Sequence, residues 1–129
     1  IETIPMGYIL VDGDRLSAVE RVSGCTPIAH QAVADVVSHA VAGQLLGKQL
    51  IYIEAGSGAK MPVSIDTIRA VRQAIDLPLI VGGGITSLEQ MLLAFSAGAN
   101  IVVVGNHFEQ HPEDLPRFLQ AKHSYVHND

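Results

Sequence analysis

The chemistry in this chain gathers around one carboxylate. Ile51-Tyr52-Ile53-Glu54-Ala55-Gly56-Ser57-Gly58-Ala59 reads as a buried strand that ends on Glu54 and breaks at once into a small-residue loop. Two further strands break the same way, Leu79-Ile80-Val81-Gly82-Gly83-Gly84 and Ile101-Val102-Val103-Val104-Gly105-Asn106. Loops without side chains leave backbone N–H groups uncovered, and such groups can hold phosphate oxygens. A lone acid beside three such loops points to a phosphorylated substrate and a single general base. Tyr52 lies two residues before Glu54 and points to the same side of the strand, either as core filler or as a hydroxyl in the pocket wall. Lys60 is the only cation in these loops, so a phosphate is expected to rest mostly on neutral N–H donors and hydroxyls such as Ser57. Plainer explanations exist: a Gly-Gly-Gly run eases helix–sheet packing, and Glu54 could cap its loop or pair with Lys60. Three such loops at successive strand ends are harder to explain by packing.

The elements that must position these residues alternate. Gly7 to Asp12 reads as a strand ending in the turn Asp12-Gly13-Asp14. Ser17 to Val22 fits a short helix or an edge segment, and Ser23 to Pro27 a loop. A helix is expected from about His30 to Leu46, with Gly47 as its stop. The strand Leu50 to Glu54 follows, then a helix capped by Ser64 whose apolar face is Ile65, Ile68, Val71 and Ile75. Leu77-Pro78 leads into the strand Leu79 to Val81. Thr86 with Glu89 and Ser87 with Gln90 form two overlapping capping boxes for a helix that buries Met91, Leu92 and Phe95 and stops at Gly98. The strand Asn100 to Val104 precedes a last helix that begins near His111-Pro112-Glu113-Asp114, and the polar tail from Lys122 to Asp129 is expected to fray. These are four β/α units with strands apolar throughout, the pattern of a parallel sheet covered on both faces. A small open parallel sheet and half of an eight-fold barrel both fit, since a full barrel takes roughly 250 residues. In either architecture ligands sit beyond the carboxyl ends of the strands, where all three glycine loops fall.

Composition bounds the function. The 129 residues suffice for one domain, 48% of them are hydrophobic, and mean hydropathy is +0.30, yet no apolar run approaches the ~20 residues of a membrane span. A net charge of -5 argues against a nucleic-acid groove. The single cysteine, Cys25, forms no intrachain disulfide and fits a reducing, cytoplasmic setting; it reads as a small buried or semi-exposed thiol rather than a nucleophile. No leader peptide is visible, and a chain that starts at Ile1 is expected to be a fragment, a processed product or a cut form of something longer. His107 and His111, and His123 and His127, have i, i+4 spacing without a third ligand nearby, and read as solvated surface residues. Asp12, Asp14 and Asp35 match no hard-metal motif, so no metal site is assigned.

Tyr52-Ile53-Glu54-Ala55-Gly56-Ser57-Gly58 resembles the signature of geranylgeranylglyceryl phosphate synthases. Val81-Gly82-Gly83-Gly84-Ile85 and Val104-Gly105-Asn106 follow in the same order and at similar spacing, and Ile4-Pro5-Met6-Gly7-Tyr8-Ile9-Leu10 resembles the fifth strand of that family. The resemblance runs from about Ile4 to Phe118 and implies an α/β fold, the C-terminal half (strands five to eight) of a (β/α)8 TIM barrel, over residues 4–121. It implies prenyl transfer from a polyprenyl diphosphate to the 3-hydroxyl of sn-glycerol 1-phosphate, an early step of ether-lipid synthesis. Glu54 would deprotonate or orient that hydroxyl; Tyr52, Gly56, Ser57, Gly58, Gly83, Gly84, Gly105 and Asn106 would hold glycerol phosphate. Mg2+ is expected from the family, with its acidic ligand in an N-terminal half that this chain does not contain. Thr86 stands where many relatives carry a basic residue, and Asn100 where an Asp is common. A half-barrel exposes strand edges, so pairing with the N-terminal half or with a second copy is expected. Competing readings are another phosphate-binding barrel enzyme, an isomerase or lyase, and a non-catalytic glycerol-phosphate-binding half-barrel.

Overall fold

The computed structural model describes residues 1–126. Four parallel strands, β1 (Met6–Leu10), β2 (Leu50–Glu54), β3 (Leu79–Gly82) and β4 (Ile101–Val103), form one sheet in the order β1-β2-β3-β4. Between them run α1 (Ala18–Ser23) and α2 (Val33–Leu45), then α3 (Ile65–Ala74), then α4 (Leu88–Ser96). After β4 come α5 (Asn106–Gln110), a 3-10 turn at Pro112–Asp114, and α6 (Leu115–Val126).

Register explains the layering. Ile9 pairs with Ile53, Ile51 with Leu79, and Ile53 with Val81; these residues all point to one face and are buried there under the helices. Val36 and Ala40 of α2 and Ile68 and Val71 of α3 complete that core. A second cluster, Ile85, Met91 and Phe118, lies where α4 meets α6, with Leu92 and Phe95 packed against it. The opposite face carries Tyr8, Tyr52, Ile80 and Ile101 in one row and Leu10, Glu54, Gly82 and Val103 in the next. That face is only partly covered: Tyr8 is 42% and Ile101 49% exposed. The expectation of a sheet covered on both faces is therefore corrected. Helices cover one face, and the other is the inner face of a half-barrel, whose covering layer would come from facing strands.

Local signals account for most boundaries. Ser64 and Ser87 accept the N–H groups of Thr67 and Gln90 as N-caps, and Gly47 ends α2 in the left-handed region at φ 78°. Around Ser87 neither expected box closes: Gln90 turns its Oε1 to the Thr86 N–H at 2.8 Å, one residue upstream of the cap. The box that does close joins Ser17 and Glu20 at the start of α1. The last helical segment also differs from expectation. α5 was hidden because five residues carry too little periodicity to register. The predicted polar tail begins inside α6, which continues through Val126; Tyr125 stacks on Phe95 at 6.1 Å, an anchor that a polar reading of the tail overlooks. His127 and the rest of that tail lie outside the described residues. Among the described residues, no helix is long and apolar enough to cross a membrane.

Candidate active site

The strand ends converge on a cleft of about 270 Å3 at the carboxyl edge of the sheet. Glu54 lines it and is 8% exposed. Its Oε1 accepts the Gly56 N–H at 2.9 Å, and its Oε2 accepts the Tyr52 hydroxyl. Two donors thus fix the carboxylate, and a carboxylate has lone pairs left for a further partner. Tyr52 settles on the pocket side of the two alternatives, core filler or pocket wall. Its ring meets Tyr8 edge-on at 5.3 Å, because the two occupy paired positions on β1 and β2. Burial, then the hydrogen bond to Glu54 and its negative charge, push the Tyr52 phenol well above its ordinary value; burial and Glu54 raise Tyr8 as well. Both stay protonated donors at neutral pH.

The glycines make room for this arrangement. A methyl group on Gly82 would stand 2.6 Å from the Tyr52 hydroxyl and 2.8 Å from Glu54 Oε2. On Gly83 it would stand 2.6 Å from Oε1 and 2.8 Å from the Ala55 and Gly56 nitrogens, with φ at 84° besides. Gly84 abuts the backbone of Met61 and Pro62, so it serves packing as well as the cleft wall. Gly105 faces open space. Among the described residues, the backbone N–H groups of Ser57, Gly58, Gly83 and Gly84 have no protein acceptor, and all four residues line the cleft. Unpaired N–H groups bordering a cavity make a cradle for an anion. Ser57 Oγ donates to Asn106 Oδ1 at 2.9 Å, which leaves the Asn106 amide N–H2 free to donate.

Of the residues expected at the site, Tyr52, Glu54, Ser57, Gly58, Gly83, Gly84, Gly105 and Asn106 line the cleft. Gly56 does not; its N–H is committed to Glu54, and at φ 98° it packs against Ser17. Tyr8, Ser17, Ala18, Val19, Ile85, Val103 and His107 line the cleft without having been anticipated. The two-residue alternation that selects Tyr52 selects Tyr8 too, once the strands are set in register. His107 is corrected from a solvated residue: its side chain is 12% exposed and its Nε2 lies 2.9 Å from Asp114 Oδ2, with Phe118 packed beside the ring. Its partner at i+4, His111, is exposed. Lys60 pairs with Asp14 at 3.2 Å, both side chains exposed, rather than with Glu54. Among the described residues no three His, Cys, Asp or Glu side chains gather as metal ligands.

The chain matches the PcrB family over residues 1–122. It is 47% identical over 117 residues to a geranylgeranylglyceryl phosphate synthase of Spirosoma linguale, an alignment covering 91% of this chain and 47% of that protein. To the synthase of Zunongwangia profunda it is 50% identical over 109 residues, covering 84% and 47%. Among solved structures it is similar to (S)-3-O-geranylgeranylglyceryl phosphate synthase from Thermoplasma acidophilum in complex with its substrate sn-glycerol-1-phosphate. That match has a TM-score of 0.77 and 38% identity, and covers 83% of this chain and 42% of the other. The chain thus spans about half the length of the curated relatives it matches.

Proposed function

The chain belongs to the PcrB family, and from that premise we propose that it supplies the glycerol-phosphate half of a prenyltransferase site. The reaction joins a polyprenyl diphosphate, geranylgeranyl in the first instance, to the 3-hydroxyl of sn-glycerol 1-phosphate. The hydroxyl oxygen bonds to the allylic C1 as the C1–O bond to diphosphate breaks, and diphosphate leaves with the electron pair. The hydroxyl proton goes to Glu54, whose negative charge also steadies the allylic cation. The observation that carries this reading is the placement of Glu54. It is buried and doubly hydrogen-bonded beside a row of unpaired backbone N–H groups. The unpaired N–H groups suit a phosphate dianion, and Glu54 beside them suits a hydroxyl to be deprotonated.

Magnesium and the diphosphate belong to the same proposal, but the ion finds no ready site on this chain's own residues. The described residues bring no set of three ligands together, and both Glu54 oxygens already hold donors. The metal ligands and most of the prenyl groove would come from a further half-barrel closing over the inner face. That partner is an N-terminal half or, failing that, a second copy of this chain. A cytoplasmic site of action accords with the lone, exposed Cys25 thiol.

The test is calorimetric titration with sn-glycerol 1-phosphate, its sn-glycerol 3-phosphate mirror image and inorganic phosphate, with Glu54→Gln alongside. Preference for sn-glycerol 1-phosphate that weakens in the variant supports the assignment. Equal binding of all three ligands would overturn it in favour of a general phosphate-binding barrel enzyme.

A further inference from the structure

We propose that Arg15 supplies the full positive charge of the phosphate site, closing over the Gly58 loop onto the phosphate of the glycerol substrate. This inference rests on the prenyltransferase reading for its ligand but on separate residues for its evidence. The loop after β1 is knitted to the loop after β2. The Lys60 and Met61 N–H groups donate to the Gly13 carbonyl at 2.9 and 3.3 Å. Asp14 adopts φ 57°, with its N–H bonded to Asp12 Oδ1. A side chain on Gly13 would collide with the Ala55 carbonyl at 2.3 Å, so this close approach requires glycine.

The knitted turn brings Arg15 to the Gly58 loop, which borders the cleft. Its Nη1 donates to the Gly58 carbonyl at 3.2 Å and lies 2.8 Å from the point where a Gly58 Cβ would stand; Asn106 Nδ2 lies 3.5 Å from that same point. A guanidinium and a free amide N–H2 therefore flank a glycine that lines the cleft and whose own N–H is unpaired. Among the described residues Arg15 has no carboxylate partner, whereas the neighbouring Lys60 is taken by Asp14. A guanidinium carries five N–H donors in a planar fork suited to phosphate oxygens, and one bond to Gly58 leaves the rest available. A phosphate monoester bears two negative charges that neutral donors alone would hold less tightly.

The experiment titrates the protein and its Arg15→Met, Arg15→Lys and Lys60→Met variants with sn-glycerol 1-phosphate, inorganic phosphate and inorganic pyrophosphate, at low and high salt, with thermal unfolding in parallel. Arg15→Met should raise Kd for both sn-glycerol 1-phosphate and inorganic phosphate about tenfold, the scale of one charge-assisted hydrogen bond, and should flatten the salt dependence. Arg15→Lys should recover part of the loss, and Lys60→Met should bind like the parent. Unchanged monophosphate affinity in Arg15→Met, with lowered thermal stability, would mean that Arg15 only ties down the Gly58 carbonyl. A loss confined to pyrophosphate would assign Arg15 to the leaving group. Either result overturns the proposal. If the parent binds inorganic phosphate and sn-glycerol 1-phosphate alike, the prenyltransferase reading fails while the Arg15 assignment is still decided by the same variants.

Discussion

A methyl group at Gly82 would press on the Tyr52 hydroxyl and on Glu54 together, so Gly82→Ala is expected to displace the carboxylate. Overpacking of this kind costs about 1–3 kcal/mol, which urea unfolding would read beside a loss of sn-glycerol 1-phosphate binding. Gly105 makes the opposite case. An added methyl there meets no protein atom within 4 Å. Gly105→Ala should therefore hold its stability to within about 0.5 kcal/mol yet bind phosphate ligands more weakly, because the methyl would stand in ligand space. Tyr52 adds a pH prediction. Its phenol titrates above the ordinary value of 10.0 in the folded chain, as does that of Tyr8. Above about pH 10 the unfolded chain therefore loses these protons first, and stability falls as pH rises. Urea midpoints between pH 8 and 11 should show a shallower alkaline loss in Tyr52→Phe than in the parent. Glu54 and the glycine loops were legible in the sequence because a strand that ends on an acid and then loses its side chains is a local pattern. Arg15 was not, because it meets Gly58 across 43 residues and only the sheet register brings them together.

At the scale of elements, the short helix α5 sets the position of Asn106. Its five residues are too few to be stable alone, and His107 fastens it to the turn before α6 through Asp114. Cutting that link with Asp114→Ala or His107→Leu should loosen Asn106 and lower sn-glycerol 1-phosphate affinity a few-fold. Hydrogen exchange should rise over residues 105–114 while β2 and β3 keep their protection. The long, strongly periodic segments were readable from spacing, and β2 was placed to the residue. α5 and the extension of α6 to Val126 were not, because tertiary contacts to Phe118, Asp114 and Phe95 decide them.

For the molecule as a whole, the inner face of the sheet decides its behaviour. Met6, Tyr8, Ile101 and Val103 stand at least two-fifths exposed on that face, and among the described residues the outer edge of β4 has no partner strand while that of β1 is met only at its end, where Ile28 bridges Val11. Exposed apolar surface with open strand edges invites association. Light scattering on the 129-residue chain by itself should give a mass above the monomer's 13.7 kDa, and Ile101→Lys should lower it. A sharp monomer would instead favour a self-sufficient open sheet. Four parallel β/α units were legible from the apolar strands, but strand pattern and length fitted an open sheet as well as half of a roughly 250-residue barrel; the half-barrel came from the resemblance carried by the strand-end motifs. The uneven covering of the two faces was not legible, because apolar strands look alike whether helices or facing strands are to bury them.

The order of the strands also bears on how the chain is made. Met6 pairs with Leu50, Ile51 with Leu79 and Ile80 with Ile101, so every strand joins the one synthesised just before it. Among these four strands none waits for a later stretch before it can pair. Each new unit meets a finished edge, and the structure can grow in the direction of translation, one strand and one helix at a time.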